Sequence, residues 1–461
     1  MTLFLQPYLT EFDDSLSGDS YIDPIGTLVI WSAFGRQVFS NRINSISNDV
    51  RNYTLNLLHH HLVRQLVLDD SVVLSRSLQR QYQGKDNLPF KQACLIFLEN
   101  LFVYSMLRHG DEDGVDTGGI LGISKARPGW ENEKGNPTLR FTHEISGQIL
   151  VRQLGLGVSG RYKSPLMNIG FFDTNYHYHN PSFAPRWTAA EQFIAGGRNA
   201  LLAAVCNSAY AFLKHCVATL HHGGKLGFKD DVPDALALDY ARAFASPALV
   251  GSYARDFWLE QTGLASGSAG ALLKALESGP ADELEPQALL TQALLQPLSS
   301  EDHAKLQEIR QLEPFLSDCA LLFNLMAAER TPTVADVASH WQRFGRDPSR
   351  LGHLAQDVAA HASLPAVRGS TAAQRLVQLQ RVAGAGSLEE QIRQLSAYHS
   401  HVMRARGQVA WLSVEDDGKI KVNARTVPRP EPEAWPPGAW YNGYYLPQFK
   451  SFVSGLQGVS A

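Results

Sequence analysis

The sequence predicts a mainly α-helical, multi-lobed protein with a small winged-helix-like element and a small C-terminal β-hairpin. Three observations predict it. Apolar residues recur at intervals of three and four through the first hundred positions, and again from Thr188 to about residue 405. The stretch "GQVAWLSVEDDGKIKVNAR" alternates apolar and polar residues on either side of an Asp-Asp-Gly turn signal. Finally, 461 residues with 44% hydrophobic content suffice for about two or three cored domains.

The first helix is read in "DPIGTLVIWSAFGRQVFSNRI". Its proline stands where a helix start tolerates one, and Ile25, Leu28, Val29, Trp31, Phe34 and Val38 follow at helical spacing. "SNDVRNYTLNLLHHHLVRQLVLDD" opens on Ser and Asn cap candidates and sets Val50, Tyr53, Leu57, Leu58, Leu62 and Leu66 on one face. A third helix runs from near Pro89 to Gly110. Its apolar window, Phe90 to Leu107, contains Lys91, Glu99 and Asn100, which indicates a buried helix rather than a membrane span. These elements make an N-terminal helical domain, residues 1–110.

Residues 111–187 change character. Positions 110 to 140 are rich in Gly, Asp, Asn and Pro, and "FFDTNYHYHNPSFAPRW" forms a second irregular stretch. A helical domain follows over 188–406, opened by a capping box of Thr188 with Glu191. Within it Thr333 caps "VADVASHWQRFG", and Ser387 with Glu390 opens another helix. Residues 407–461 hold the hairpin, a proline-rich connector and a short closing helix.

The formal net charge of −4 and the 19% charged content exclude bulk electrostatic binding of nucleic acid, so any such contact needs a local patch. The four cysteines, Cys94, Cys206, Cys216 and Cys319, lie in apolar surroundings without a C-x-x-C pair and read as buried free thiols of a reducing cytoplasm. The acidic start "MTLFLQPYLTEFDDSLSGDS" lacks the basic segment of a secretory signal. A cytoplasmic protein without membrane contact is expected.

"GLGVSGRYKSPL", residues 155 to 166, carries the main functional signal. Its G-x-G-x-x-G spacing suits a dinucleotide, but Pro165 interrupts the helix that should follow and no βαβ pattern surrounds it. A helix-turn-helix is the better reading. "THEISGQILVRQL" would form a first helix with Thr142 as cap and Ile145, Ile149, Leu150 and Leu154 inward. Ser159 would cap a second, presenting Arg161, Tyr162 and Lys163, with Ser164 beside them, to double-stranded DNA. Pro165 truncates or kinks that second helix. The plain alternative is a packed helix-loop-helix with exposed cations.

Other constellations are thinner. Arg108-His109-Gly110 resembles the R-H-G of histidine phosphatases, and "HHGGKLG" from His221 resembles their second histidine motif. That resemblance implies a phosphorylated His109, with the arginine and His222 binding phosphoryl oxygens. It also implies a parallel strand before His109, where the sequence reads as the end of a helix. His59, His60 and His61 are consecutive and diverge on a helix. His177 and His179 with Asp173 can converge on a loop in a set that suits zinc or iron, although Tyr and Asn among them are ordinary loop residues. "DEDGVDTGG" lacks the EF-hand order of ligands, and Asp417-Gly418-Lys419 reads as a turn. Arg36, Arg42, Arg51 and Arg64 line either a phosphate-facing groove or ordinary solvated helix faces. No metal and no cofactor are expected.

The opening D-P-x-G pattern with "SNDVRNYTLNLLHHHLVRQL", and the closing W-x-N-G-Y-Y-L-P-x-F segment, are similar in layout to uncharacterised bacterial proteins encoded in anti-phage defence islands. That resemblance implies a setting, a subunit working beside ATPases or nucleases on DNA, and no reaction. The sequence therefore reads as a non-enzymatic scaffold or adaptor subunit of a multi-protein bacterial complex, touching DNA through Arg161 and Lys163. Phosphoryl transfer by His109 and His222 is the alternative.

Overall fold

The computed structural model describes residues 23–45, 47–196, 199–278, 285–361 and 369–458. Helices dominate these residues, and the sheets among them are two antiparallel two-stranded ribbons. The chain forms two compact units. One comprises Met1–Ser40 with Ser266–Pro447, the other Asn41–Ala265 with Gln448–Ala461. Composition marks four consecutive segments, whereas each unit joins stretches far apart in sequence.

The Asn41–Ala265 unit is built on two helices, Val50–Leu68 and Leu88–Arg108. Every residue from Val50 to Val63, and from Ala93 to Leu107, is buried. The expected apolar face is there, but the polar face is enclosed as well. The cap is Asp49, whose Oδ1 accepts the Arg51 N–H at 2.8 Å, and not Ser47, whose hydroxyl accepts the Asn44 N–H at 3.0 Å. Both Leu88–Arg108 and Ala200–Thr219 are long and apolar enough to cross a membrane, and the first is almost wholly enclosed by protein. The strand Thr138–Phe141 pairs antiparallel with Gly224–Gly227, Leu139 opposite Leu226, so the stretch after Thr188 contains a strand that helical periodicity did not indicate.

Two expectations in this unit are corrected. The helix Ala184–Ala195 starts ahead of Thr188 with Pro185 in its first turn, so the Thr188 hydroxyl donates to the Ala184 carbonyl (3.1 Å) and does not form a capping box. The helix expected over Thr142–Leu154 is also absent. There is a 3-10 turn at Ile145–Gly147, followed by short helices at Gln153–Leu156, Val158–Arg161 and Lys163–Ile169. Side chains take the backbone groups that a helix would pair. Gln153 Oε1 accepts the Ile149 N–H (2.8 Å), Gln148 Oε1 accepts the Gln153 N–H (2.7 Å), and Asn100 donates to the Gly147 carbonyl (2.6 Å). Arg152 at φ +57° completes the break.

In the other unit the long helix Ser300–Ala327 packs against Thr27–Val38, Val334–Arg343 and Arg350–His361. Gly35 is required because a Cβ there would lie 2.6 Å from the Tyr444 carbonyl oxygen. Asp318 is buried between Arg346 (2.9 Å) and Arg350 (2.5 Å). The hairpin forms as read: Leu412–Val414 pairs with Ile420–Val422, Asp417 Oδ1 accepts the Lys419 N–H, and Gly418 turns at φ +83°. Thr333 and Asp336 make a full capping box, and Ser387 accepts the Glu390 N–H (3.2 Å). The closing helix, Leu446–Gln457, begins at the end of this unit and from Gln448 belongs to the Asn41–Ala265 unit. All four cysteines are buried and free.

Candidate functional site

The five residues expected to meet DNA do not share a face. Ser159 is buried, and its backbone N–H donates to Glu99 Oε1 at 2.6 Å. Tyr162 is fully buried and meets Tyr53 edge-on, ring centroids 4.8 Å apart. Arg161 and Lys163 are half-buried and Ser164 is exposed. Lys163 Nζ donates to the Thr174 carbonyl (2.6 Å) and lies 4.5 Å from the Tyr176 ring centroid. The buried Glu99 carboxylate organises this fold. Burial pushes its pKa up, while hydrogen bonds from Ser159 and Gln153 work against that rise.

The histidine triplets have separate partners. His109 ends the Leu88–Arg108 helix and its Nδ1 is 2.6 Å from Glu112, while Arg108 pairs with Asp234. His222 Nε2 is 2.9 Å from the Thr142 hydroxyl, and its ring lies beside Tyr82 and His143. A helix precedes R-H-G, where the phosphatase resemblance implies a parallel strand. His59, His60 and His61 diverge as expected, toward Tyr240 (3.2 Å), Tyr178 (2.8 Å) and Trp187 respectively. Arg51 is no part of a phosphate groove: it is buried, paired with Asp49, and donates to the Asp116 and Gly118 carbonyls. Arg64 pairs with Glu191 at 2.5 Å.

The irregular stretch after Phe171 builds the most chemically equipped surface. Asp86, Asp173, His177, His179, Asn180 and Pro181 line an open cleft of about 710 Å³, much of it continuous with solvent. Asp173 Oδ1 accepts the N–H groups of Asn175 (2.9 Å) and His177 (3.1 Å), and Oδ2 lies 2.7 Å from His177 Nδ1. Burial by itself raises the Asp173 pKa, but the hydrogen bonds from His177 and Asn175 outweigh it and hold the carboxyl below its usual range. Also lining the cleft, Asp86 is 2.5 Å from Nζ of the buried Lys91, which donates to the Tyr176 carbonyl (2.9 Å).

No family model, curated protein or solved structure matches this chain.

The chemistry therefore has to be read from the residues. Asp173, held ionised by these hydrogen bonds, fixes the His177 ring through Nδ1. Among the described residues no three His, Cys, Asp or Glu side chains are placed to hold one ion together. The pattern D-x-x-x-H-x-H displays Asp173, His177 and His179 in the sequence. Asp86 has no such signal, because it reaches the cleft from just before a separate helix, where the buried Lys91 pairs with it.

Proposed function

We propose that this chain is a non-enzymatic scaffold or adaptor subunit of a multi-protein bacterial complex, presenting the segment 144–152 to another protein subunit. The observation that carries this reading is the exposure of Ile145 (82%) and Val151 (74%) on a stretch whose backbone is tied to buried Asn100 and Gln153. Apolar side chains held rigidly in water gain free energy only when a partner covers them, and a pinned segment loses little entropy on docking. Glu144 and Arg152 flank the pair with charge suited to an interface rim. The resemblance to defence-island proteins supplies the partner class, an ATPase or nuclease subunit. The DNA arm of the reading rests on Arg161, Lys163 and Ser164, with Ser159 and Tyr162 acting as interior supports.

The test is co-purification from the native host. Wild type retains a stoichiometric partner, and the double variant Ile145→Ser, Val151→Ser loses it with its circular dichroism and Tm unchanged. A variant that keeps the partner at wild-type stoichiometry overturns the reading. For the DNA arm, duplex binding is followed by anisotropy at several salt concentrations. Arg161→Ala with Lys163→Ala is expected to lower the salt slope by about 2. An unchanged affinity and slope removes DNA from the proposal.

A further inference from the structure

Residues 176–179 read Tyr-His-Tyr-His, and their burial alternates with them. Tyr176 and Tyr178 are buried, His177 is half-exposed and His179 exposed. With the two tyrosines inside, both imidazoles are left toward the cleft that they line, and their ring centroids are 5.8 Å apart. The backing is fixed. The Tyr178 hydroxyl meets His60 Nδ1 at 2.8 Å, and Lys91 Nζ holds the Tyr176 carbonyl at 2.9 Å. Asp173 Oδ2 lies 2.7 Å from His177 Nδ1, a contact that favours the tautomer with its proton on Nδ1 and its lone pair on Nε2. This is the arrangement that orients and strengthens a ligating histidine.

We propose that His177 and His179 form a two-imidazole binding site for a divalent transition-metal ion of the zinc, nickel and copper class, with Asp173 as the positioning residue for His177. The donor set selects the class. Imidazole nitrogens suit these ions, whereas magnesium and calcium require sets of oxygen ligands, and the one other carboxylate of the cleft lining, Asp86, is already paired with Lys91. Two protein ligands leave coordination positions for water or for a donor brought by another molecule. The site stands apart from the adaptor reading: substitutions at Ile145 and Val151 leave metal binding intact, and substitutions at His177 and His179 leave partner retention intact.

The experiment is calorimetric titration of the chelator-treated 461-residue chain with zinc chloride alone, together with electron paramagnetic resonance of the copper(II)-loaded chain. One saturable ion is expected, insensitive to excess magnesium, with hyperfine coupling from two nitrogens. His177→Ala and His179→Ala each weaken binding by roughly tenfold or more, and Asp173→Asn by about 10- to 100-fold. His179 is exposed, so its variant tests ligation without disturbing packing, and circular dichroism verifies the fold of all three. Absence of saturable binding in the wild type overturns the proposal. So does wild-type affinity in both histidine variants, which would place the ion elsewhere.

Discussion

Two helices, one in each unit, bury ionisable groups of opposite character. In the Asn41–Ala265 unit the Val50–Leu68 helix encloses three imidazoles. Burial lowers His59 to about 3; it drives His60 well below the ordinary range, with His59 and Lys163 adding to the effect; and it brings His61 to about 4. In the unit holding Ser266–Pro447, burial raises the Glu313 carboxyl to about 7, although the N–H groups of Tyr441 (2.5 Å) and Asn442 (2.9 Å) favour its charged form. One physical cause, loss of water around a charge, therefore gives these two helices opposite pH dependence. A buried histidine resists gaining its proton and a buried carboxyl resists losing its own.

The largest consequence is on the acid side. Below the unfolded value of 6.5 the unfolded chain takes up protons that the folded histidines refuse, so stability falls between pH 6.5 and about 4. Each such group contributes at most about 1.4 kcal/mol per pH unit within that window. Hydrogen-exchange protection of residues 50–68, corrected for intrinsic rates, is expected to collapse over that window. Protection that stays flat down to pH 5 breaks the comparison.

The next effect runs the other way. The folded Glu313 pKa lies above the unfolded value of 4.5, so stability is full below pH 4.5, declines as pH rises to about 7, and is level above. The total is about 3 kcal/mol. Glu313→Gln is expected to remove this decline, read as exchange protection of residues 306–326 between pH 4.5 and 8. A decline that persists in the variant assigns it to another group.

Two glycines sharpen the contrast between tertiary and local control. At Gly160 a Cβ would sit 2.5 Å from the Leu154 carbonyl oxygen, so Gly160→Ala costs about 2 kcal/mol by overpacking. At Gly418 the demand is only the positive φ of a turn, and Gly418→Ala costs about 1 kcal/mol. Denaturant titrations that reverse this order would show that the hairpin, rather than the Glu99 network, is the more constrained.

The difference between these glycines also explains what was legible. Asp417, Gly418, the Thr333–Asp336 capping box and Ser387 act within four residues of themselves, and each was readable and formed. The Thr188 box was equally readable and did not form, because Pro185 had already started the helix. The Thr142–Leu154 helix failed for a longer-range reason: Asn100 reaches it from another helix, and Glu99 anchors the segment that follows through Ser159. Of the candidate cleft, Asp173, His177 and His179 were visible as a pattern, while Asp86 and its pairing with the buried Lys91 were not.

By itself, then, the sequence determined the helices, the hairpin, the caps that proved correct and the paired imidazoles, because these depend on periodicity and on contacts a few residues long. Tertiary structure decided which polar residues lie inside, which backbone groups side chains would claim, and that Thr27–Val38 belongs with residues 266–447. Those outcomes depend on burial and hydrogen bonding by segments far apart in the chain, and a free energy set by distant neighbours leaves no mark in a local pattern.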